Sequence, residues 1–265
     1  MIFCISDLHL GDRGYRDNFN VGDRESRFGK FLDYVSDNHG SLIILGDLLD
    51  LWQTTASRSI GSYRDLLKRL TYTGAHGYGA SWLVGNHDNA LGSSPESICD
   101  IELPGCPVRR GPFEAVIGGR KFAFLHGHES DPFCRDENQG LGEITAILSG
   151  IAEDRNKGPI RNGKAVEDQT TGRLEAALTF WRELTGGRSR LDEMIDNVEK
   201  YRLEQHSDVV ISGHTHAPGR IGTQHYNTGS WCRDCDTFVT VDDSGTVSMF
   251  EWTADGAKPF EKELR

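Results

Sequence analysis

Apolar residues in this chain gather in short runs, and each run stops at a polar cluster. Ile2-Phe-Cys-Ile5 leads into Asp7 and His9, Leu42-Ile-Ile-Leu45 into Gly46-Asp47, and Ala80-Ser-Trp-Leu-Val84 into Gly85-Asn86-His87-Asp88. Phe122-Ala-Phe-Leu125 leads into His126-Gly-His128, and Val209-Val-Ile-Ser212 into Gly213-His214-Thr-His216. Short continuous apolar runs fit strands buried on both faces. Between them the period changes. Phe28, Phe31, Leu32 and Val35 recur at i, i+3, i+4, i+7, as do Tyr63, Leu66, Leu67 and Leu70, so each set predicts an amphipathic helix. Asp23 is placed to cap the first. Strand, helix, strand in alternation gives βαβ units with right-handed crossovers and a largely parallel sheet. In such sheets ligand sites lie beyond the carboxyl ends of the strands, where every polar cluster falls.

The rest of the chain reads more simply. Residues 10–22 are rich in Gly, Asp, Arg and Asn and predict a loop over the site. Residues 89–112, with Pro95, Pro104, Pro107 and Pro112, read as irregular. Phe113–Ile117 and Lys121–Leu125 flank Gly118-Gly119 as a hairpin. Residues 136–206 form the one long interruption between ligand-bearing strands. Three helical stripes fall there: Leu141/Ile144/Leu148/Ile151, Leu174/Ala177/Leu178/Trp181 and Leu191/Met194/Ile195/Val198. They predict a helical cap within a single domain spanning 1–265. Short strands follow at Thr223–Asn227, Thr237–Val241 and Thr246–Trp252, the last two joined by the turn Asp242-Asp-Ser-Gly245.

Composition narrows the class. At 265 residues with 37% hydrophobic content, the chain can bury a substantial core. No apolar run approaches the roughly 18–20 residues that span a bilayer. The start enters a strand at once with no basic n-region or cleavage site, so the expected location is cytoplasmic. The 6 cysteines include one close pair, Cys232 and Cys235, and no zinc-ribbon spacing, so reduced thiols are expected. A net charge of −11 disfavours nucleic acid and anionic membrane as partners. Carboxylates gathered around cations account for part of that charge.

The polar clusters supply metal-ligand types. Asp7 and His9 are two apart, as are His214 and His216, and residues i and i+2 just past a strand point to one side. With Asp47, Asn86 and His126 they are too many for one ion and suit two that share a bridge. Carboxylate, imidazole and amide oxygen together suit Mn, with Fe, Zn and Co compatible. The ordered set Asp7-x-His9, Gly46-Asp47-x-x-Asp50, Gly85-Asn86-His87-Asp88, His126, Gly213-His214-x-His216 resembles the calcineurin-like metallophosphoesterase superfamily.

That resemblance implies a four-layer αββα sandwich with a helical insert before the last metal-binding motif. It implies Asp7, His9, Asp47 and His216 around one metal and Asp47, Asn86, His126 and His214 around the other, with Asp47 bridging. Two cations roughly 3.5–4 Å apart generate a hydroxide and clamp the phosphoryl oxygens during in-line displacement. His87, beside a ligand, is free to act as general acid. The resemblance makes Asp50 its orienting partner, and a nearby carboxylate favours imidazolium. Asp88 is then a supporting or structural group. His128 fits a site wall or a plain loop equally, Asp131 can contact the metal shell or substrate, and Glu129 reads as solvated loop. Arg13, Arg16, Arg109, Arg110 and Arg135 flank site loops without singling one out as an anion ligand. Trp52 and Trp231 read as core.

The expected activity is hydrolysis of a phosphomonoester or phosphodiester of a polar molecule. Asp50-Leu-Trp52 and the insert also resemble UDP-2,3-diacylglucosamine pyrophosphohydrolases, which carry Arg where this chain has His87. Each insert stripe is only wide enough for packing, which makes the acylated substrate the alternative. Ser/Thr protein phosphatases are a further alternative, but Leu51 stands where their Arg would be and Asp88 replaces their Glu. Two other classes are a catalytically silent protein-binding scaffold, opposed by the intact ligand set, and a nuclease, opposed by the charge.

Overall fold

The computed structural model describes residues 1–76, 79–89, 106–131, 134, 190–232 and 236–264. Two sheets stack in it. The first comprises β1 (Ile2–Ile5), β2 (Ser41–Leu45), β3 (Ala80–Leu83), β4 (Val108–Arg109), β10 (Thr237–Val241), β11 (Val247–Thr253) and β12 (Gly256–Pro259), in the order β12-β11-β10-β1-β2-β3-β4. The second comprises β5 (Phe113–Ile117), β6 (Arg120–Phe124), β7 (Val209–Ser212), β8 (Gly219–Ile221) and β9 (His225–Asn227), in the order β5-β6-β7-β9-β8. β1 to β4 run parallel, as do β6, β7 and β9. The parallel strands β1, β2, β3, β6 and β7 carry the polar clusters just past their carboxyl ends.

Alternation along each strand builds the layers. Phe3, Ile5, Leu42, Ile44 and Trp82 face helices α1 (Arg24–Asp37) and α3 (Arg64–His76), meeting Phe28, Phe31, Leu32, Val35, Leu66 and Leu70. Cys4, Ile43, Leu45 and Leu83 face the other way and meet Phe122, Phe124, Val209 and Ile211 between the sheets. On the far side, Ala123, Leu125 and Val210 pack on Val198 of α4 (Arg190–Glu204). Helix, sheet, sheet, helix is the predicted αββα order. Both helical stripes near the amino end are buried as expected, and a short helix α2 (Ala56–Ser62) precedes α3.

Several local expectations change. Asp23 occupies the N-cap of α1 as expected, but its side chain makes no cap bond and pairs instead with Arg27 Nε at 3.1 Å, one turn on. Val108 and Arg109 pair with Trp82 and Leu83 inside a stretch read as irregular; two residues are too few to show a period. β8 has three residues and is likewise too short to show a period, and β12, Gly-Ala-Lys-Pro, carries no apolar run. The hairpin at Gly118-Gly119 forms as expected, with its second strand one residue earlier, at Arg120–Phe124, and Ile117 opposite Arg120. Of the cap stripes, the one on α4 is seen, with Met194, Ile195 and Val198 buried. The stripes within 141–181 lie outside the described residues. Among the described residues no helix is long and apolar enough to cross a membrane.

Phe31 is the hub of the helix-side core. Its ring meets Trp231 at 4.9 Å, Phe238 at 5.0 Å, Trp252 at 5.7 Å and Phe28 at 6.0 Å between centroids. Trp231 is core as expected, fully buried. Phe31→Ala is expected to cost about 3–5 kcal/mol, read as a shift in denaturant midpoint at unchanged slope. A loss below about 1 kcal/mol would show that the hub collapses around the deletion.

Candidate metal centre

The clusters past the strands do not continue in extended form. Asp7 (φ 56°), His9 (φ 50°), Asp47 (φ 54°), His214 (φ 68°) and His216 (φ 54°) all adopt left-handed backbone. This corrects the expectation that i, i+2 spacing converges through strand geometry: the chain turns each side chain individually. A non-glycine residue held there costs of order 1–3 kcal/mol and persists only when its surroundings dictate it. They do. Asp7 N–H donates to Gly46 O (3.1 Å), His9 N–H to Asp47 O (2.9 Å) and Leu10 N–H to Leu48 O (2.9 Å), lacing the segments after β1 and β2 together. Gly213 N–H donates to His126 O (2.8 Å), doing the same for β6 and β7. His214 N–H donates to Asp7 Oδ2 (2.9 Å) and joins the two sheets. Glycine is needed at two close approaches. A Cβ on Gly85 would lie 2.5 Å from Asp47 N, and one on Gly46, itself at φ 90°, would lie 2.5 Å from His126 Cγ.

Two groups of donors result. In one, His216 Nε2 lies 3.1 Å from His9 Nε2 and 3.1 Å from Asp7 Oδ1. In the other, His126 Nε2 lies 3.0 Å from Asn86 Oδ1, and His214 is close by, with ring centroids 5.1 Å apart. Asp47 Oδ2 lies between them, 3.7 Å from His9 Nε2 and 3.2 Å from His126 Nε2. One nitrogen of each of three histidines meets the chain: His126 Nδ1 at Leu45 O (2.5 Å), His214 Nε2 at Asp131 Oδ2 (2.9 Å) and His216 Nδ1 near Cys232 Sγ (3.8 Å). Outer partners of this kind set tautomer and ring orientation in metal sites. A further observation fits cations. His126 faces oxygen acceptors at both nitrogens, although a neutral imidazole carries one N–H.

A family model for calcineurin-like phosphoesterases matches residues 1–218. The chain belongs to that family. Metal-dependent hydrolysis of phosphoric esters is the activity class of this chain. No curated protein matches it in sequence. Solved structures similar to it include Vps29 with zinc from Entamoeba histolytica, at 14% identity and TM-score 0.43 over 97% of this chain and 95% of that one. A dimetal phosphatase from Danio rerio shares 14% identity at TM-score 0.45, over 98% and 96%. An archaeal phosphodiesterase shares 15% at 0.41, over 94% and 98%.

The other residues of this phosphoesterase site sort by what they touch. His87 Nδ1 lies 2.9 Å from Asp50 Oδ1, and its backbone N–H donates to Asp47 Oδ1 (2.9 Å). Asp88 is structural: its carboxylate accepts from Gly85 N–H (2.5 Å), Leu48 N–H (2.8 Å) and Trp82 Nε1–H (3.1 Å), pinning the loop. His128 is buried 5.3 Å from His126 by ring centroids, a site wall. Glu129 is not solvated loop; it accepts Gly127 N–H at 2.8 Å. Arg13 is engaged by Ser62 O (2.8 Å) and Glu25 (2.7 Å). His39 and His206 take positive φ away from the site, and His225 bonds Ser212 Oγ (2.9 Å). Arg135 and Cys235 lie outside the described residues. Cys4, Cys106, Cys134 and Cys232 are free thiols, as expected. Two contacts escaped sequence reading. Trp52 is not core but stacks on His87, and Cys232 is not a bystander but neighbours His216.

Charge follows from this packing. Burial pulls the His126 imidazole down, but Asp47 outweighs it and the net shift is up to about 10. Burial likewise lowers His216, and Asp7 brings it up to about 9. Burial dominates at His214, which falls to about 4 despite Asp131. Burial pushes Asp47 up, yet His126 holds it well below the carboxylate range. In the metal-free protein the His126 contribution to stability is therefore complete below its ordinary value of 6.5 and lost as pH rises through about 10. Thermal unfolding in chelator should show the melting temperature falling across that window. Metal competes with the same proton, so affinity for Mn should rise with pH. A metal-free melting temperature flat across the window would remove the Asp47–His126 pairing.

Proposed function

We propose that this chain is a dinuclear phosphoesterase acting on a phosphomonoester or phosphodiester of a polar molecule. Asp7, His9, Asp47 and His216 would hold one ion, and Asp47, Asn86, His126 and His214 the other, with Mn the expected metal. The observation that carries this reading is Asp47, whose Oδ2 lies within 3.7 Å of both donor groups. When bound, such a pair of cations supplies a nucleophile near neutral pH and neutralises charge on the phosphoryl group. The remaining work falls to the chain. The protonated His87 ring donates Nδ1–H to Asp50 and keeps Nε2–H to give to the leaving oxygen. Asp50, 3% exposed, fixes the ring in that sense.

The polar-substrate reading is supported at α4. The cavity between Met194, Ile195 and Val198 and the ends of β7 and β9 measures about 10 Å³, room for about one water. The described part of the insert thus spends its apolar stripe on packing. We read residues 1–265 as a single domain with 136–206 as a helical cap within it.

A hydrolysis panel on Mn-loaded protein, with metal content measured on the same sample, tests the proposal. It holds p-nitrophenyl phosphate, its bis ester, a nucleotide-sugar pyrophosphate with and without acyl chains, and a phosphopeptide. Turnover of simple esters with two metals per chain is expected; turnover confined to the acylated sugar would overturn the substrate class. Asp47→Asn and His216→Ala should lose metal and turnover together. His87→Ala should keep both metals and slow esters with poor leaving groups by about 10²–10⁴. Full rate on an alkyl ester would remove the acid role.

A further inference from the structure

Trp52 stacks on the His87 ring. The ring centroids lie 3.9 Å apart with planes 28° from parallel, and the indole is only partly buried. Among the described residues the His87 ring meets two other side chains: Asp50, by the hydrogen bond at 2.9 Å, and His9, at 88° with centroids 4.4 Å apart. One in-plane hydrogen bond does not fix an imidazole, because the torsion to its ring is broad and roughly twofold. The ring can pivot about the Nδ1–Oδ1 contact and sweep Nε2 through an arc. A flat partner against its face stops that pivot, and His9 at right angles limits it from another direction.

We infer that Trp52 is a positioning residue for the acid: its indole holds the His87 plane so that Nε2 stays in reach of the leaving oxygen. The inference rests on His87 being that acid and adds the element that aims it. Leu51 cannot substitute: it packs against the helix-side core, and neighbouring side chains diverge. Asp50 and Trp52 thus act on one ring from two directions, the carboxylate setting which nitrogen faces out and the indole setting where it points. A displacement near 1 Å costs as much as about 10²-fold in rate, so loss of the indole should be felt although it takes no part in proton transfer.

The test uses the full Mn-loaded chain with phenyl phosphate and p-nitrophenyl phosphate as poor and good leaving groups. Trp52→Leu should slow phenyl phosphate by about 10–10², p-nitrophenyl phosphate much less, and leave metal content unchanged. Trp52→Phe, which keeps a flat face, should recover most of the rate. On a His87→Ala background, Trp52→Leu should add nothing, because groups acting through one another are not additive. Multiplicative effects in the double variant would mean that Trp52 touches the substrate and would overturn the inference, as would equal slowing of both esters or loss of metal in Trp52→Leu. If His87→Ala itself shows no leaving-group bias, the acid reading fails first. Bias in His87→Ala without bias in Trp52→Leu sinks only the role of Trp52.

Discussion

A single carboxylate ties the two halves of the site together. Asp47 follows β2 in the first sheet; its Oδ2 reaches His126 from the second sheet and His9 from the first, and its Oδ1 accepts the His87 amide. Moving Asp47 would therefore disturb both donor groups and His87 at once. Its surroundings leave it no room. Gly85 approaches so closely that a methyl group would strike the Asp47 backbone, and Gly46 is bare because His126 lies across it.

The site is also a concentration of cost. Left-handed backbone at Asp7, His9, Asp47, His214 and His216, buried carboxylates, and facing imidazoles are each unfavourable alone. Divalent cations offset the charge, while the backbone strain is held by the laced segments and the cores around them. The aromatic cluster around Phe31 presses α1 on the first sheet, and Phe122, Phe124 and Ile211 set the spacing to the second. Rigidity in those layers is what keeps donors from distant parts of the chain in reach of one another.

Much of this was legible in order along the chain. Ligand types after five apolar runs named the residues that meet, and i, i+3, i+4, i+7 spacing named the buried faces of α1 and α3. Legibility failed where the deciding contact was not periodic. Asp23 takes the cap position that its residue type fits, but an arginine one turn on competes for its side chain. β4 and β8 are too short to carry alternation. Trp52 and Cys232 looked ordinary because nothing local marks the ring or the thiol as a neighbour of a histidine.

Sequence alone thus determined which chemical groups are present and which strand delivers each, because apolar period and residue type are local properties. Tertiary structure decided which atom faces which. His9 and His216 are 207 positions apart, and only closure of two sheets brings their Nε2 atoms together. The same closure sets the outward tautomer of each ring, through a carbonyl at His126, a carboxylate at His214 and a thiol near His216. It also places the indole of Trp52 on His87, a contact that depends on how the turns after β2 and β3 lie against each other.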